Sequence, residues 1–137
     1  MKKLYALRGA VCCCNTEDDI RTQTADLYRA LLEANGLAED DIVSAVFSVT
    51  AGLDAKNPCA ALREAGYAQH LALFAVQEAC VKGMMDNVIR VLIHCYLEDG
   101  ADIRHVYTNG AQVLRPDREG QTSLQSLARL KKGDFLG

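Results

Sequence analysis

Val88-Ile89-Arg90-Val91-Leu92-Ile93-His94-Cys95-Tyr96-Leu97 is an apolar run broken by one arginine, with Gly83 before it and Asp99-Gly100 after it. Its β-branched content and its flanking turn residues predict a strand. By strand alternation Arg90 shares a face with Val88, Leu92 and His94. A guanidinium in a strand interior needs a partner, because a buried unpaired charge is strongly destabilising. The matching carboxylate is Glu78, at the end of a second apolar run, Leu71 to Val76. Two readings of the pair stand open: a structural ion pair, or an anion site in which the two hold opposite ends of a ligand.

Working outward, strand-like and helix-like segments alternate. Ile42 to Val49 reads as another strand, followed by a Thr50–Asp54 loop and a short helix over Cys59 to Ala65, with Pro58 in its first turn and Gly66 as its stop. Lys3 to Val11 is the first strand. After it, Asn15-Thr16 and the acidic Glu17-Asp18-Asp19 open a helix of about five turns. Ile20, Leu27, Leu31 and Ala34 give that helix its apolar face, and Asn35-Gly36 ends it. Downstream, Ile103 to Tyr107 and Ala111 to Leu114 flank Thr108-Asn109-Gly110, which predicts a hairpin. The expected fold is an α+β domain over residues 1–118, with a mixed sheet and two main helices on one face. Residues 119–137 are expected to form a polar, mobile tail whose apolar anchors are Leu124, Leu127 and Leu130.

Composition narrows the function. The chain has 137 residues, half of them apolar, with 15 Lys plus Arg against 18 Asp plus Glu, a formal charge of −3. That balance suits one globular domain and argues against a nucleic-acid partner, which needs a basic face. No apolar run reaches the ~18 residues of a membrane span, and the N-terminal residues lack a signal-like apolar core, so a cytoplasmic protein is expected. Six cysteines lack CxxC spacing, and Cys12-Cys13-Cys14 are consecutive, so reduced thiols acting as small apolar residues are expected rather than disulfides or a metal site. No phosphate loop and no nucleophile elbow is present. His70 and His94 read as half-buried strand residues.

The arginines carry more information. Arg8 precedes Gly9, Arg63 lies on the short helix, and Arg115 precedes Pro116. Each alone reads as a solvated surface residue. Together at element ends they suit a small substrate bearing carboxylates. Tyr107, otherwise a strand aromatic at the core edge, adds a phenol donor.

The ordered set Leu7-Arg8-Gly9-Ala10, Pro58 with Arg63-Glu64, Gln77-Glu78, Val88-Ile89-Arg90-Val91, Arg104-His105-Val106-Tyr107 and Leu114-Arg115-Pro116-Asp117 resembles the AroH-class chorismate mutases. The resemblance runs from about Leu4 to Asp117. It implies a homotrimer with a pseudo-α/β barrel core, active sites between subunits, and the cofactor-free Claisen rearrangement of chorismate to prephenate on the route to phenylalanine and tyrosine. Arg90 would then donate to the ether oxygen and Glu78 accept from the ring hydroxyl. Arg8 and Tyr107 would bind the side-chain carboxylate, Arg63 and Arg115 would draw in the dianion, and Leu114 would supply apolar wall. Three positions depart from the family pattern: Asn57 replaces an aromatic residue, Ala60 a lysine, and Ala75 a small thiol or hydroxyl residue facing the substrate hydroxyl. These departures support a rival reading, an inactive or weak relative that binds a carboxylate metabolite. A trimeric imine deaminase of the RidA type is a second rival, and the Arg-His-Val-Tyr and Leu-Arg-Pro-Asp pieces weigh against it.

Overall fold

In the computed structural model, which describes residues 1–114, five strands form one mixed sheet. They are β1 (Lys2–Cys12), β2 (Ile42–Val49), β3 (Ala72–Gln77), β4 (Val88–Glu98) and β5 (Val106–Thr108), in the order β3-β2-β4-β1-β5. The apolar run around Arg90 is the centre of the sheet: β4 pairs antiparallel with β1 along its whole length and with β2 on its other side. The outer pairs, β2 with β3 and β1 with β5, are parallel.

Two helices, α1 (Glu17–Asn35) and α2 (Pro58–Glu64), cover one face of the sheet. Thr16 caps α1 by accepting from the Asp19 N–H, and Gly36 closes it in the left-handed conformation. Asn57 caps α2 by accepting from the Cys59 N–H at 2.8 Å, so this departure from the family pattern has a local structural role. On the covered face Leu7, Val11, Phe47, Ile89, Val91 and Ile93 pack against Ile20, Leu27, Leu31 and Leu62. Gly9 belongs to that face for lack of room. A Cβ there would meet Leu27, Leu31 and the Val106 carbonyl at 3.0 Å each.

The other face is open. It carries Leu4, Phe74 and Tyr96, exposed by 56%, 65% and 43%. From Ile89 onward alternation along β4 separates the two faces, with Ile89, Val91, Ile93 and Cys95 buried and Arg90, Leu92 and His94 half-buried. Val88, on the face of Arg90, is instead buried beside Ala10, Tyr107 and Ala111.

The expected hairpin does not form. Asn109 and Gly110 do take positive φ values of +51° and +96°, as an Asn-Gly turn should. The chain then enters a 3-10 turn, Ala111–Leu114, instead of a returning strand. Ala111 is buried beside Ala10, Val88 and Tyr107, the Gln112 side chain accepts from the Gly110 N–H, and the Asn109 amide donates to the Cys12 carbonyl. These contacts pull the segment onto β1 and out of line for a ladder with β5. The strand expected from Ile103 is also short. Arg104 is held by the Asn35 side-chain amide, which accepts from its N–H and donates to its carbonyl, both at 2.9 Å. His70 is corrected too: it is an exposed turn residue, whereas His94 is half-buried in β4. Arg115 and the expected tail over 119–137 lie outside the described residues.

Candidate active site

Two rows of side chains cross the open face. Pairing register sets Arg8 beside Leu92, Leu92 beside Val46 and Val46 beside Phe74. The next row runs Tyr107, Ala10, Arg90, Ser48, Val76. Between the rows lies a cleft of about 240 Å³, lined by Arg8, Val46, Ser48, Arg90, Leu92 and Tyr107 among others. Residues far apart in sequence reach it because β1 and β2 flank the same central strand.

Glu78 arrives from β3. Its backbone N–H donates to the Val49 carbonyl at 2.9 Å, continuing the β2–β3 ladder one residue further. The carboxylate Oε2 lies 3.0 Å from Arg90 Nε and accepts a hydrogen bond from Ser48 Oγ at 3.0 Å. Although the Arg90 distance is short, the N–H is not aimed at that oxygen. The contact is therefore one of charge, and Nε stays without a hydrogen-bond partner. Glu78 is the more enclosed partner, its side chain 18% exposed against 40% for Arg90.

Arg8 is positioned through its backbone. Its N–H donates to His105 Nδ1 at 3.0 Å, at the point where the parallel ladder with β5 begins. An imidazole nitrogen thus completes the ladder where a backbone carbonyl would otherwise stand. Among the described residues nothing pairs with the Arg8 guanidinium, which faces the cleft. Tyr107 is buried against Ala10, Val88 and Ala111, and Leu114 and Met85 border that cluster.

The remaining candidates stand apart within one chain. Arg63, in the last turn of α2, donates through Nη2 to the Leu71 carbonyl at 3.1 Å. Ala75 is on the helix-covered face of β3 and lines a different depression, with Asn57, Pro58 and Val49. Ser48 and His105 were not among the candidates read from the sequence. Ser48 had one legible signal, a hydroxyl in alternation with Ser44 and Val46 near the end of a strand. His105 stands in the Arg-His-Val-Tyr piece of the resemblance, but its role has no local signal, since its partner is a backbone amide 97 residues away.

Cys13, Cys59 and Cys95 serve as apolar core residues as expected, whereas Cys14 and Cys80 are exposed. Burial, with Asp19 nearby as a smaller cause, pushes Cys13 up to about 12, and burial pushes Cys95 up to about 11. All six cysteines are free. Among the described residues no three His, Cys, Asp or Glu side chains gather as a metal site requires, and no helix is long and apolar enough to cross a membrane.

The cleft therefore presents two guanidiniums, one carboxylate, one phenol and an apolar floor. Excess positive charge in a partly dry cleft attracts an anion with more than one carboxylate, and the planar forks orient it. Such a set has the chemistry to hold and polarise a small anionic molecule. The chain belongs to the chorismate mutase type I family, whose model matches residues 4–118. It is similar to the chorismate mutase AroH of Bacillus subtilis, 35% identical over 104 residues, covering 75% of this chain and 82% of that protein. It is 34% identical over 119 residues to the chorismate mutase AroH of Thermus thermophilus, covering 82% and 94% respectively. A solved chorismate mutase from Clostridium thermocellum matches with a TM-score of 0.75 and 43% identity, covering 80% of this chain and 98% of that one.

Proposed function

We propose that this protein is an isomerase that converts chorismate to prephenate, in a domain spanning residues 1–118. In that rearrangement the ether C–O bond breaks as a C–C bond forms, in one concerted step without proton transfer or covalent intermediate. Protein groups can then act only by selecting the reactive conformer and stabilising polarity as it develops. Arg90 donates to the ether oxygen, which is more negative in the transition state than in bound substrate. Glu78 accepts from the ring hydroxyl and faces the electron-poor ring. Arg8 and Tyr107 bind the side-chain carboxylate, with Leu114 as apolar wall, and Arg63 and Arg115 draw the dianion to the mouth. The observation that carries this reading is Arg90, next to Glu78 and in one cleft with Arg8 and Tyr107.

The active unit is a homotrimer with sites shared between neighbours. Support comes from the exposed apolar residues of the open face, and from Arg63 and Ala75, which within one chain do not line the Arg90 cleft. Ala75 then offers no hydrogen bond to the substrate hydroxyl, at about 1 kcal/mol. Six free thiols suit the reducing cytoplasm. The test is the loss of chorismate absorbance on adding purified protein, with prephenate identified as the product. Saturable binding without turnover would instead favour a metabolite-binding relative.

A further inference from the structure

Ser48 stands where three elements converge. It is the register partner of Arg90 across β2 and β4, it lines the cleft, and its hydroxyl donates to Glu78 Oε2 at 3.0 Å. That oxygen is also the one nearest Arg90, while among the described residues no donor reaches Oε1. A carboxylate beside a guanidinium ordinarily draws the arginine N–H groups into a fork, and those donors are then lost to a ligand. Here the serine supplies the hydrogen bond, and the Arg90 Nε–H, itself buried, takes no part in a fork with the carboxylate. The hydroxyl also fixes the rotation of the carboxylate, so that Oε2 is committed to protein and Oε1 is left for the ligand.

We infer that Ser48 is a positioning residue for the reaction: by hydrogen-bonding Glu78 Oε2 it fixes the orientation of that carboxylate beside Arg90. The inference rests on the chorismate mutase reading of the same cleft. A hydroxyl acting in this way matters most once polarity has developed, so its removal lowers kcat more than it raises KM.

The experiment compares Ser48→Thr with Ser48→Val, which have nearly the same volume and differ in the hydroxyl, each alone and in a Glu78→Ala background. Steady-state turnover of chorismate is measured, with thermal melts as the folding control. Ser48→Thr should keep near-normal kcat, whereas Ser48→Val should lose roughly tenfold with KM little changed. In Glu78→Ala the two substitutions should become equivalent, because the group through which Ser48 acts is gone. Equal activity of the two single variants, or a Thr–Val difference that persists without Glu78, overturns the positioning role while leaving the chorismate mutase reading intact. A wild-type chain that binds chorismate but does not turn it over overturns both.

Discussion

Arg90 combines two properties that seldom occur together in a strand: a central position in the sheet and a side chain on the uncovered face. Its neighbours across the sheet, Ala10 and Ser48, are small, which leaves room above the guanidinium for a ligand. Glu78 balances the charge without consuming the Nε–H. A fixed cation at a developing negative charge acts on the transition state more than on the ground state, which raises kcat. Arg90→Ala should therefore lower kcat by roughly three orders of magnitude, about 4 kcal/mol. Arg90→Lys should recover little of it, since an ammonium lacks the planar fork needed to serve the ether oxygen and a carboxylate together. Turnover at saturating chorismate, with circular dichroism as control, measures this. If Arg90→Ala raises KM and spares kcat, Arg90 only binds.

The C-terminal end of α1 acts on the cleft through the segment that leads into β5. Asn35 donates to the Leu31 carbonyl within its own helix and to the Arg104 carbonyl, and accepts from the Arg104 N–H, all at 2.9 Å. This amide replaces a strand neighbour for the segment leading into β5. The next residue, His105, holds the Arg8 backbone, and Tyr107 follows two positions later. Asn35→Ala removes two hydrogen bonds to the Arg104 backbone in a part-buried place, which should destabilise the fold by about 1–3 kcal/mol. The melting temperature should fall, and KM for chorismate should rise more than kcat falls, because Arg8 and Tyr107 are the residues proposed to hold the carboxylate. An unchanged melting temperature would mean that other contacts secure residues 101–105.

At the scale of the whole described domain, helices among the described residues cover one face of the sheet. Leu4, Phe74, Val76 and Tyr96 remain exposed across the other, a patch that a lone soluble chain rarely leaves open. Burying it against two further copies also lets Arg63 or Ala75 of a neighbour approach the cleft. Light scattering in solution should therefore give about three chain masses. A monomer at micromolar concentration would rule out a shared site.

The first four strands, both helices and the caps of α1 were legible in the sequence because each depends on local chemistry: β-branched runs, the 3.6-residue spacing of Ile20, Leu27 and Leu31, and capping residues at Thr16 and Asn35-Gly36. The need of Arg90 for Glu78 was legible for a different reason, since a charge inside an apolar strand requires a partner wherever the chain brings one. The fate of Asn109-Gly110 was not. Its positive φ values came from the dipeptide, but whether a strand followed depended on Ala111 packing under Tyr107 and on Asn109 reaching Cys12. Ser48 and His105 were equally hidden. One is a serine among several and the other a histidine whose place in the Arg-His-Val-Tyr piece says nothing of a backbone contact, and each gains its role from register across the sheet. The sequence determined which elements form and which charges must pair. Only the tertiary structure decided which side chains share a cleft, because pairing between strands distant along the chain is set by the packing of the whole sheet against its helices.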